Sequence, residues 1–193
     1  MATAVIIGAS GYAGQETLDR VLSHPGLELY ALGSDSLAGQ PANALDPRLG
    51  RNGWSRIPCF ITNEAALSCG ADVVFACLSN EEAAALRPPP RGIVVDLSGA
   101  HRFHDAAVYD AWYGFEHPAP AWLEKAVYGL PEVFGDEISG ASLVANPGCY
   151  PTPVVLGLAP LRAARLIGPG PIVVDGKAGL SGAGRALAEA TSY

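Results

Sequence analysis

Residues 3–14 read Thr-Ala-Val-Ile-Ile-Gly-Ala-Ser-Gly-Tyr-Ala-Gly, an apolar run that passes at once into a loop with glycine at positions 8, 11 and 14. A short continuous apolar run ending in turn residues is the pattern of a strand buried on both faces of a parallel sheet. From Tyr12 to Ser23 the apolar positions Leu18, Val21 and Leu22 recur at helical spacing, and His24-Pro25-Gly26 stops the helix. In this strand, tight turn and helix, G-x-x-G-x-x-G reads as a variant of the G-x-G-x-x-G dinucleotide fingerprint. Gly8 turns the chain sharply off the strand, Gly11 lets a pyrophosphate approach with no Cβ in the way, and Gly14 allows close packing of helix on strand. The free N–H groups and positive dipole end of the helix then face the phosphates. A plain α/β turn could use the same glycines for geometry alone; the buried strand before them and the helix after them favour nucleotide binding.

Outward from this unit, residues 27–32, 71–77, 92–97 and 142–146 read as further strands and 80–86 as an Ala-rich helix. Strands alternating with helices imply right-handed crossovers and a Rossmann-type, doubly wound parallel α/β sheet. Residues 154–166 have helical periodicity, and Gly168-Pro169-Gly170-Pro171 precedes an expected last strand at 172–175. Residues 34–58, rich in Gly, Pro, Asn and Asp, read as a long loop with a short helix, and loops of that length are often functional. Residues 101–120 carry Trp112, Tyr113 and Phe115 among Asp and His and read as a partly buried aromatic excursion at the edge of a site.

Just past the second strand lie Ser34, Asp35 and Ser36, at about the spacing where an acid accepts from the adenine ribose 2′-hydroxyl; a 2′-phosphate prefers a basic partner. Asp35 on its own favours NAD, or is simply a solvated loop acid.

The formal net charge of −7 and the absence of Lys/Arg clusters argue against nucleic-acid binding and for small-molecule ligands. A hydrophobic share of 49%, 16% charged residues and a mean hydropathy of +0.22 describe a packed globular protein. No apolar run is long enough to cross a bilayer, and the opening residues turn Gly-rich too soon for a secretory signal, so a cytoplasmic protein with no membrane partner is expected. Of the cysteines, Cys59, Cys69 and Cys77 read as small buried hydrophobes, Cys77 at a strand end. His101 and His104 could share a metal, but without a carboxylate or thiol partner they read as surface or loop residues, and no metal is expected.

Cys149 is different. In Ala145-Asn-Pro-Gly-Cys-Tyr-Pro-Thr152 the Pro-Gly pair turns the chain after a strand, and Pro151 and Pro153 suit a helix's first turn because they lack an N–H that would be unpaired there. A thiol at that point has its thiolate stabilised by the helix end, which makes it a candidate nucleophile; a buried cysteine in a tight turn is the other reading.

The stretches GASGYAG (8–14), DLSGAHRF (96–103), WYGFEH (112–117), YGLPE (128–132), ANPGCYPT (145–152) and DGKAGLSGAGR (175–185), in this order, resemble the N-acetyl-gamma-glutamyl-phosphate reductase family, the NADPH-dependent third enzyme of arginine biosynthesis. The resemblance implies reductive dephosphorylation of N-acetyl-glutamyl 5-phosphate. Cys149 would attack the acyl phosphate, expel phosphate and form a thioester, which hydride from the nicotinamide would reduce to the semialdehyde. Backbone N–H groups after the cysteine would stabilise the oxyanion.

It also implies that Gly8, Ser10, Gly11, Tyr12, Ala13, Gly14, Ser34, Ser36 and Cys77 border the cofactor. Ser98 and Ser181-Gly182-Ala183 would approach its nicotinamide end. Arg102, Asn146, Gly148 and Arg185 would meet the anionic substrate, because a guanidinium fork suits a carboxylate or phosphate. NADP is the implied cofactor; because Asp35 stands where many members have a basic residue, NAD stays open.

The implied organisation is a dinucleotide-binding domain, 1–145, and the beginning of an α+β catalytic domain, 146–193. The family's acid/base histidine lies beyond residue 193 and is matched by none of His24, His101, His104 or His117, so the chain is expected to be cut short, with exposed apolar surface and, at full length, a homo-oligomeric state. Two further readings stay open: a dinucleotide-binding fragment without turnover, and the related reductase acting on a carrier-bound aminoadipyl phosphate in lysine biosynthesis.

Overall fold

The computed structural model describes residues 1–45, 59–87, 89, 91–177 and 179–183. Seven strands form one sheet: β1 (Ala2–Ile7), β2 (Leu27–Gly33), β3 (Phe60–Ile61), β4 (Val73–Ala76), β5 (Ile93–Asp96), β6 (Ala126–Tyr128) and β7 (Leu143–Ala145), in the order β3-β2-β1-β4-β5-β7-β6. Every ladder is parallel. The chain runs outward from β1 to β3 on one side, then crosses back to lay β4, β5, β7 and β6 on the other. Such a switch point opens a crevice at the carboxyl ends of the strands.

The apolar run of β1 is buried on both faces. Val5 and Ile7 join a cluster with Val74, Ala76 and Leu143, while Ala4 and Ile6 face Leu18, Val21, Leu32 and Phe60 on the other side. Successive strand residues point to opposite faces, so only a strand covered on both sides is apolar at every position. Leu18 and Val21 belong to α1 (Tyr12–Ser23), whose stripe covers the second face. Burying each such side chain contributes about 1.5–3 kcal/mol, and this packing fixes the loop between β1 and α1.

The helices α2 (Asn63–Leu67), α3 (Asn80–Ala84), α4 (Ala107–Tyr113), α5 (Pro120–Leu123), α6 (Pro131–Ile138) and α7 (Pro151–Ala163) complete the described elements, with two 3-10 turns at Ala42–Ala44 and Leu180–Ala183. α3 starts at a capping box in which Ser79 accepts from the Glu82 amide and Glu82 accepts from that of Ser79. No described helix is long and apolar enough to cross a membrane.

Three expectations change. Residues 172–175 form no strand: Ile172, Val173 and Val174 are 54%, 90% and 53% exposed, because an apolar run without a sheet edge beside it has no ladder to join. The helix expected at 154–166 begins at Pro151, since prolines at its first and third positions remove only amides that a first turn leaves unpaired. Cys59 is exposed, its segment pairing with Pro41 only through an isolated antiparallel bridge, while Cys69 and Cys77 are partly buried. The loop expected at 34–58 is described as far as residue 45; its remainder lies outside the described residues.

The aromatic excursion folds around Tyr109 of α4, which is fully buried, while Trp112 on the same helix is 83% exposed. The Tyr109 ring lies 4.9 Å from that of His117. His117 is buried, its Nε2 donating to the Ala100 carbonyl (3.0 Å) and its Nδ1 accepting from the Ala119 amide (3.2 Å). Burial first, and the neighbouring His101 second, hold its pKa below the usual 6.5, and a proton on Nδ1 would face the Ala119 N–H donor. Above pH 6.5 the ring is neutral folded or unfolded; below it the unfolded chain takes up a proton before the native one does. Stability is therefore expected to fall as pH drops from 6.5 through the lowered value, by at most about 1.4 kcal/mol per pH unit. Urea titrations between pH 7.5 and 5.5 should show this slope flattened in His117→Gln, which keeps a donor and an acceptor; identical slopes in both proteins would refute it.

Candidate active site

The loops after β1, β2, β4, β5 and β7 all leave the sheet at its carboxyl edge, and each carries expected site residues. A cleft of about 340 Å³ opens there, bordered by Gly8, Ser10, Gly11, Ser34, Ser36 and Cys77, and also by Asp35, Asn63 and Glu82. Gly8 has φ +70, and a Cβ on it would stand 2.2 Å from the Cys77 carbonyl oxygen. A Cβ on Gly14 would lie 2.6 Å from both Ala9 Cα and the Gly8 carbonyl oxygen, so this glycine is needed for helix-on-strand contact. Gly11 has an ordinary extended conformation, and a Cβ on it would meet only the Gly8 oxygen, at 3.5 Å. Packing within the chain does not demand a glycine at 11. α1 has no acidic residue in its first turn and no side-chain cap, while Tyr12 and Ala13 open it with exposed side chains. Its positive end thus suits an anion from outside the chain.

Ser34, 2% exposed, donates from Oγ to Ser10 Oγ (2.8 Å) and lies 3.3 Å from Ser36 Oγ. Asp35 between them turns to α2: its Oδ1 accepts from the Asn63 amide (2.8 Å) and its Oδ2 from Asn63 Nδ2 (3.0 Å). Asn63 Oδ1 in turn accepts from the Gly8 amide (2.9 Å). Asn63 is thus a cleft residue that sequence reasoning missed. The signal that could have marked the start of α2, unread at the level of sequence, is Thr62, whose side chain accepts from the Ala65 amide as an N-cap.

Cys77 follows β4 and lies 3.6 Å from Thr17 Oγ1. Burial pushes its thiol up to about 11. Thiolate is the reacting form, so at pH 7 iodoacetamide should label the exposed Cys149 and Cys59 within the time that leaves Cys77 unmodified. Peptide mapping by mass spectrometry checks this; Cys77 modified as fast as Cys149 would contradict it.

At the end of β5, Asp96 is fully buried. Its Oδ1 accepts from the Ser98 amide (2.9 Å) and its Oδ2 from His101 Nδ1 (2.7 Å), while Ser98 Oγ accepts from the Ala100 amide (3.0 Å). His101 is 3% exposed and so is no surface residue: the Asp96 carboxylate takes it inside, and its Nε2 has no hydrogen-bond partner among the described residues. His104 remains exposed, 3.2 Å from the Ala126 carbonyl through Nε2. Asp96 and His101 were not read as a pair from the sequence, although an acid closing an apolar strand was a visible signal.

The turn held by Asp96 delivers Arg102, whose Nε donates to the Asn146 carbonyl (2.9 Å). A Cβ on Gly148 would lie 3.1 Å from one terminal nitrogen of the same guanidinium. Arg102, Asn146 and Gly148 thus come together beside Cys149, which is exposed just ahead of α7. Pro151 and Pro153 offer no amide, and that of Thr152 already donates to the Gly148 carbonyl (3.1 Å). Of residues 150–153, which follow the cysteine, only Tyr150 keeps an amide not taken in these ways, a narrower set than the sequence suggested. Ser181 and Gly182 are exposed in the final 3-10 turn and are not among the described residues bordering the cleft; Ala183 closes that turn, and Arg185 lies outside the described residues.

Residues 3–141 match the model of the semialdehyde dehydrogenase NAD-binding domain, and 149–193 that of the semialdehyde dehydrogenase dimerisation domain. A protein of Dehalococcoides mccartyi named N-acetyl-gamma-glutamyl-phosphate reductase is 47% identical over 93% of this chain and 51% of its own length. One of that name from Moorella thermoacetica is 44% identical over 96% of the chain and 54% of its own length. The chain therefore spans about half the length of the curated relatives it matches. Among solved structures, aspartate semialdehyde dehydrogenase II of Vibrio cholerae superposes with a TM-score of 0.60 at 19% identity, over 85% of this chain and 47% of its own. Aspartate semialdehyde dehydrogenase with NADP from Candida albicans does so with a TM-score of 0.53 at 17% identity, over 84% of this chain and 47% of its own. These two likenesses show the fold.

Proposed function

The chain belongs to the semialdehyde dehydrogenase family, and from that membership we propose that it supplies the cofactor cleft and the nucleophile for NADPH-dependent reduction of N-acetyl-glutamyl 5-phosphate to the 5-semialdehyde. One observation carries the reading: the exposed Cys149 thiol and the Gly-rich loop leave the same edge of one parallel sheet, with Arg102 seated against the turn that bears the cysteine.

The cleft fits a dinucleotide. Gly11 leaves open the space that a Cβ would occupy, α1 brings an uncapped positive end to it, and Ser10, Ser34 and Ser36 offer hydroxyls. Tyr12, Ala13 and Cys77 complete the proposed cofactor set, with Ser98 and residues 181–183 nearer the nicotinamide. When bound, the nicotinamide supplies the hydride. The reading is NADP rather than NAD, supported by the Candida albicans dehydrogenase, a structure with NADP, and by the engagement of both Asp35 oxygens with Asn63.

Cys149 Sγ attacks the acyl carbon, the phosphate leaves with the C–O bonding electrons, and the acyl group is held as a thioester. The amide of Tyr150 donates to the developing oxyanion. The terminal nitrogens of Arg102, fixed through its Nε, have no hydrogen-bond partner among the described residues and suit a carboxylate or phosphate, with Asn146, Gly148 and Arg185 in the same substrate set. The reading divides the chain into a dinucleotide-binding part, 1–145, and the opening of a catalytic part, 146–193; the two family matches, which end at 141 and begin at 149, support it. The second match, and the exposed Leu161, Leu166 and Val173, support assembly into a homo-oligomer, and a cytoplasmic location belongs to the same reading.

The test is acyl capture. The 193-residue protein, given N-acetyl-glutamyl 5-phosphate without cofactor, should gain one N-acetyl-glutamyl mass on Cys149, removable by hydroxylamine, and Cys149→Ser should gain no such thioester. Saturable NADPH binding without acylation would favour a dinucleotide-binding chain that turns nothing over. Acylation by the aminoadipyl phosphate alone would assign it to the lysine-type substrate.

A further inference from the structure

Asn63 joins two parts of the cleft that the chain separates widely. Its carbonyl oxygen holds the Gly8 amide of the Gly-rich loop, and its backbone and side-chain nitrogens hold the two carboxylate oxygens of Asp35. Asp35 stands at the end of β2, where a carboxylate normally takes the ribose 2′-hydroxyl and repels a 2′-phosphate. Its neighbours on either side, Ser34 and Ser36, instead gather with Ser10 into a group of hydroxyls bordering the same cleft. Asp35 borders that cleft too; what sets it apart is that both its oxygens are already engaged by Asn63. The hydroxyls can donate to a phosphate as well as to a hydroxyl. The carboxylate cannot donate, and it is tied down.

We propose that Asn63 is a specificity-determining positioning residue: by clamping Asp35 against α2 it withholds the one acid at the β2 end from the adenine ribose and so allows a phosphorylated cofactor to bind. This rests on the cofactor reading given above. It explains how the chain can carry an acid where the resemblance leads one to expect a base. The clamp is neutral, so the charge of Asp35 remains; loss of the side-chain bond frees Oδ2 to turn to the ribose, while the backbone amide of residue 63 still reaches Oδ1.

The experiment is equilibrium titration of the 193-residue protein with NADPH and with NADH, followed by the fluorescence of the reduced nicotinamide. The native protein should bind NADPH the more tightly. In Asn63→Ala the ratio of the two dissociation constants should move at least about 10-fold toward NADH, because a released carboxylate gains a bond to the 2′-hydroxyl and opposes the 2′-phosphate. Asp35→Ala should leave the ratio within about 3-fold of native, and Asp35→Ala with Asn63→Ala should bring it back to that range, which a merely structural role for Asn63 would not do. Asn63→Asp keeps an acceptor for the Gly8 amide, loses the side-chain donor to Asp35 and adds a charge of its own; if Asn63→Ala loses its cooperative thermal transition, Asn63→Asp should shift the ratio in the same direction, and by less when Asp35→Ala is also present. Equal weakening of both cofactors in the Asn63 variants, with no restoration in the double variant, overturns the proposal. Absence of saturable binding of either cofactor by the native protein, or tighter binding of NADH, overturns the cofactor reading instead.

Discussion

Gly8→Ala is expected to abolish measurable cofactor binding and to destabilise the fold by about 2–5 kcal/mol. A side chain at φ +70 costs roughly 1–2 kcal/mol. The added Cβ, 2.2 Å from the Cys77 carbonyl oxygen, forces the β1 loop off β4, which adds about 1–3 kcal/mol of overpacking strain. The same movement breaks the Gly8 amide's bond to Asn63 and shifts the start of α1, so the anion site is lost with the stability. Two companions separate the causes. Gly39→Ala, at φ +84 with no described residue within 4 Å of its Cβ, should cost only the backbone strain, about 1–2 kcal/mol, and leave cofactor binding alone. Gly11→Ala meets neither strain nor clash, so it should leave stability within about 0.5 kcal/mol and weaken NADPH at least about 10-fold. Denaturant midpoints and fluorescence titrations measure both quantities; a Gly8→Ala protein that binds NADPH like the native one would show that the loop is not the cofactor cradle.

Asp96→Ala should be as damaging, for a different reason. The carboxylate is fully buried and holds the Ser98 amide and the His101 ring, both also buried. Truncating it leaves His101 inside with neither ring nitrogen paired among the described residues, since Nε2 has no partner already. Removing one member of a buried, hydrogen-bonded pair typically costs about 3–5 kcal/mol, because the partner keeps its desolvation cost. Asp96→Asn should cost only about 1–2 kcal/mol, as its carbonyl oxygen can still accept from Ser98 and its amide can donate to a His101 tautomer that accepts at Nδ1. The loss should reach function through the turn that carries Arg102 to Asn146. A melting curve for Asp96→Ala within 1 °C of native would refute this.

The unit from β1 to α1 was legible residue by residue because its contacts are local: a strand's burial, a turn's glycines and a helix's stripe are written within about twenty positions. The short elements were not. β3 and β6 are Phe60–Ile61 and Ala126–Tyr128, too brief to show a period, and they exist because neighbouring strands offer them edges. The opposite error occurred at 172–175, where the apolar run was clear but no edge receives it. Cys149 stood out through its prolines and glycine, yet the same prolines, with Thr152 bonded to Gly148, thin the amides around it.

The sequence by itself determined the parallel α/β class, the Gly-rich crossing at β1 and the helix start behind Cys149, because each depends on side-chain period and backbone preference over neighbouring residues. Only the tertiary structure decided that Asp35 answers to Asn63, 28 positions away, that Asn63 answers also to Gly8, 55 positions away, and that His101 lies inside against Asp96. Hydrogen bonds at such separations are made by strands converging at one edge of a sheet. No local pattern encodes which donor the folded chain will bring to which carboxylate.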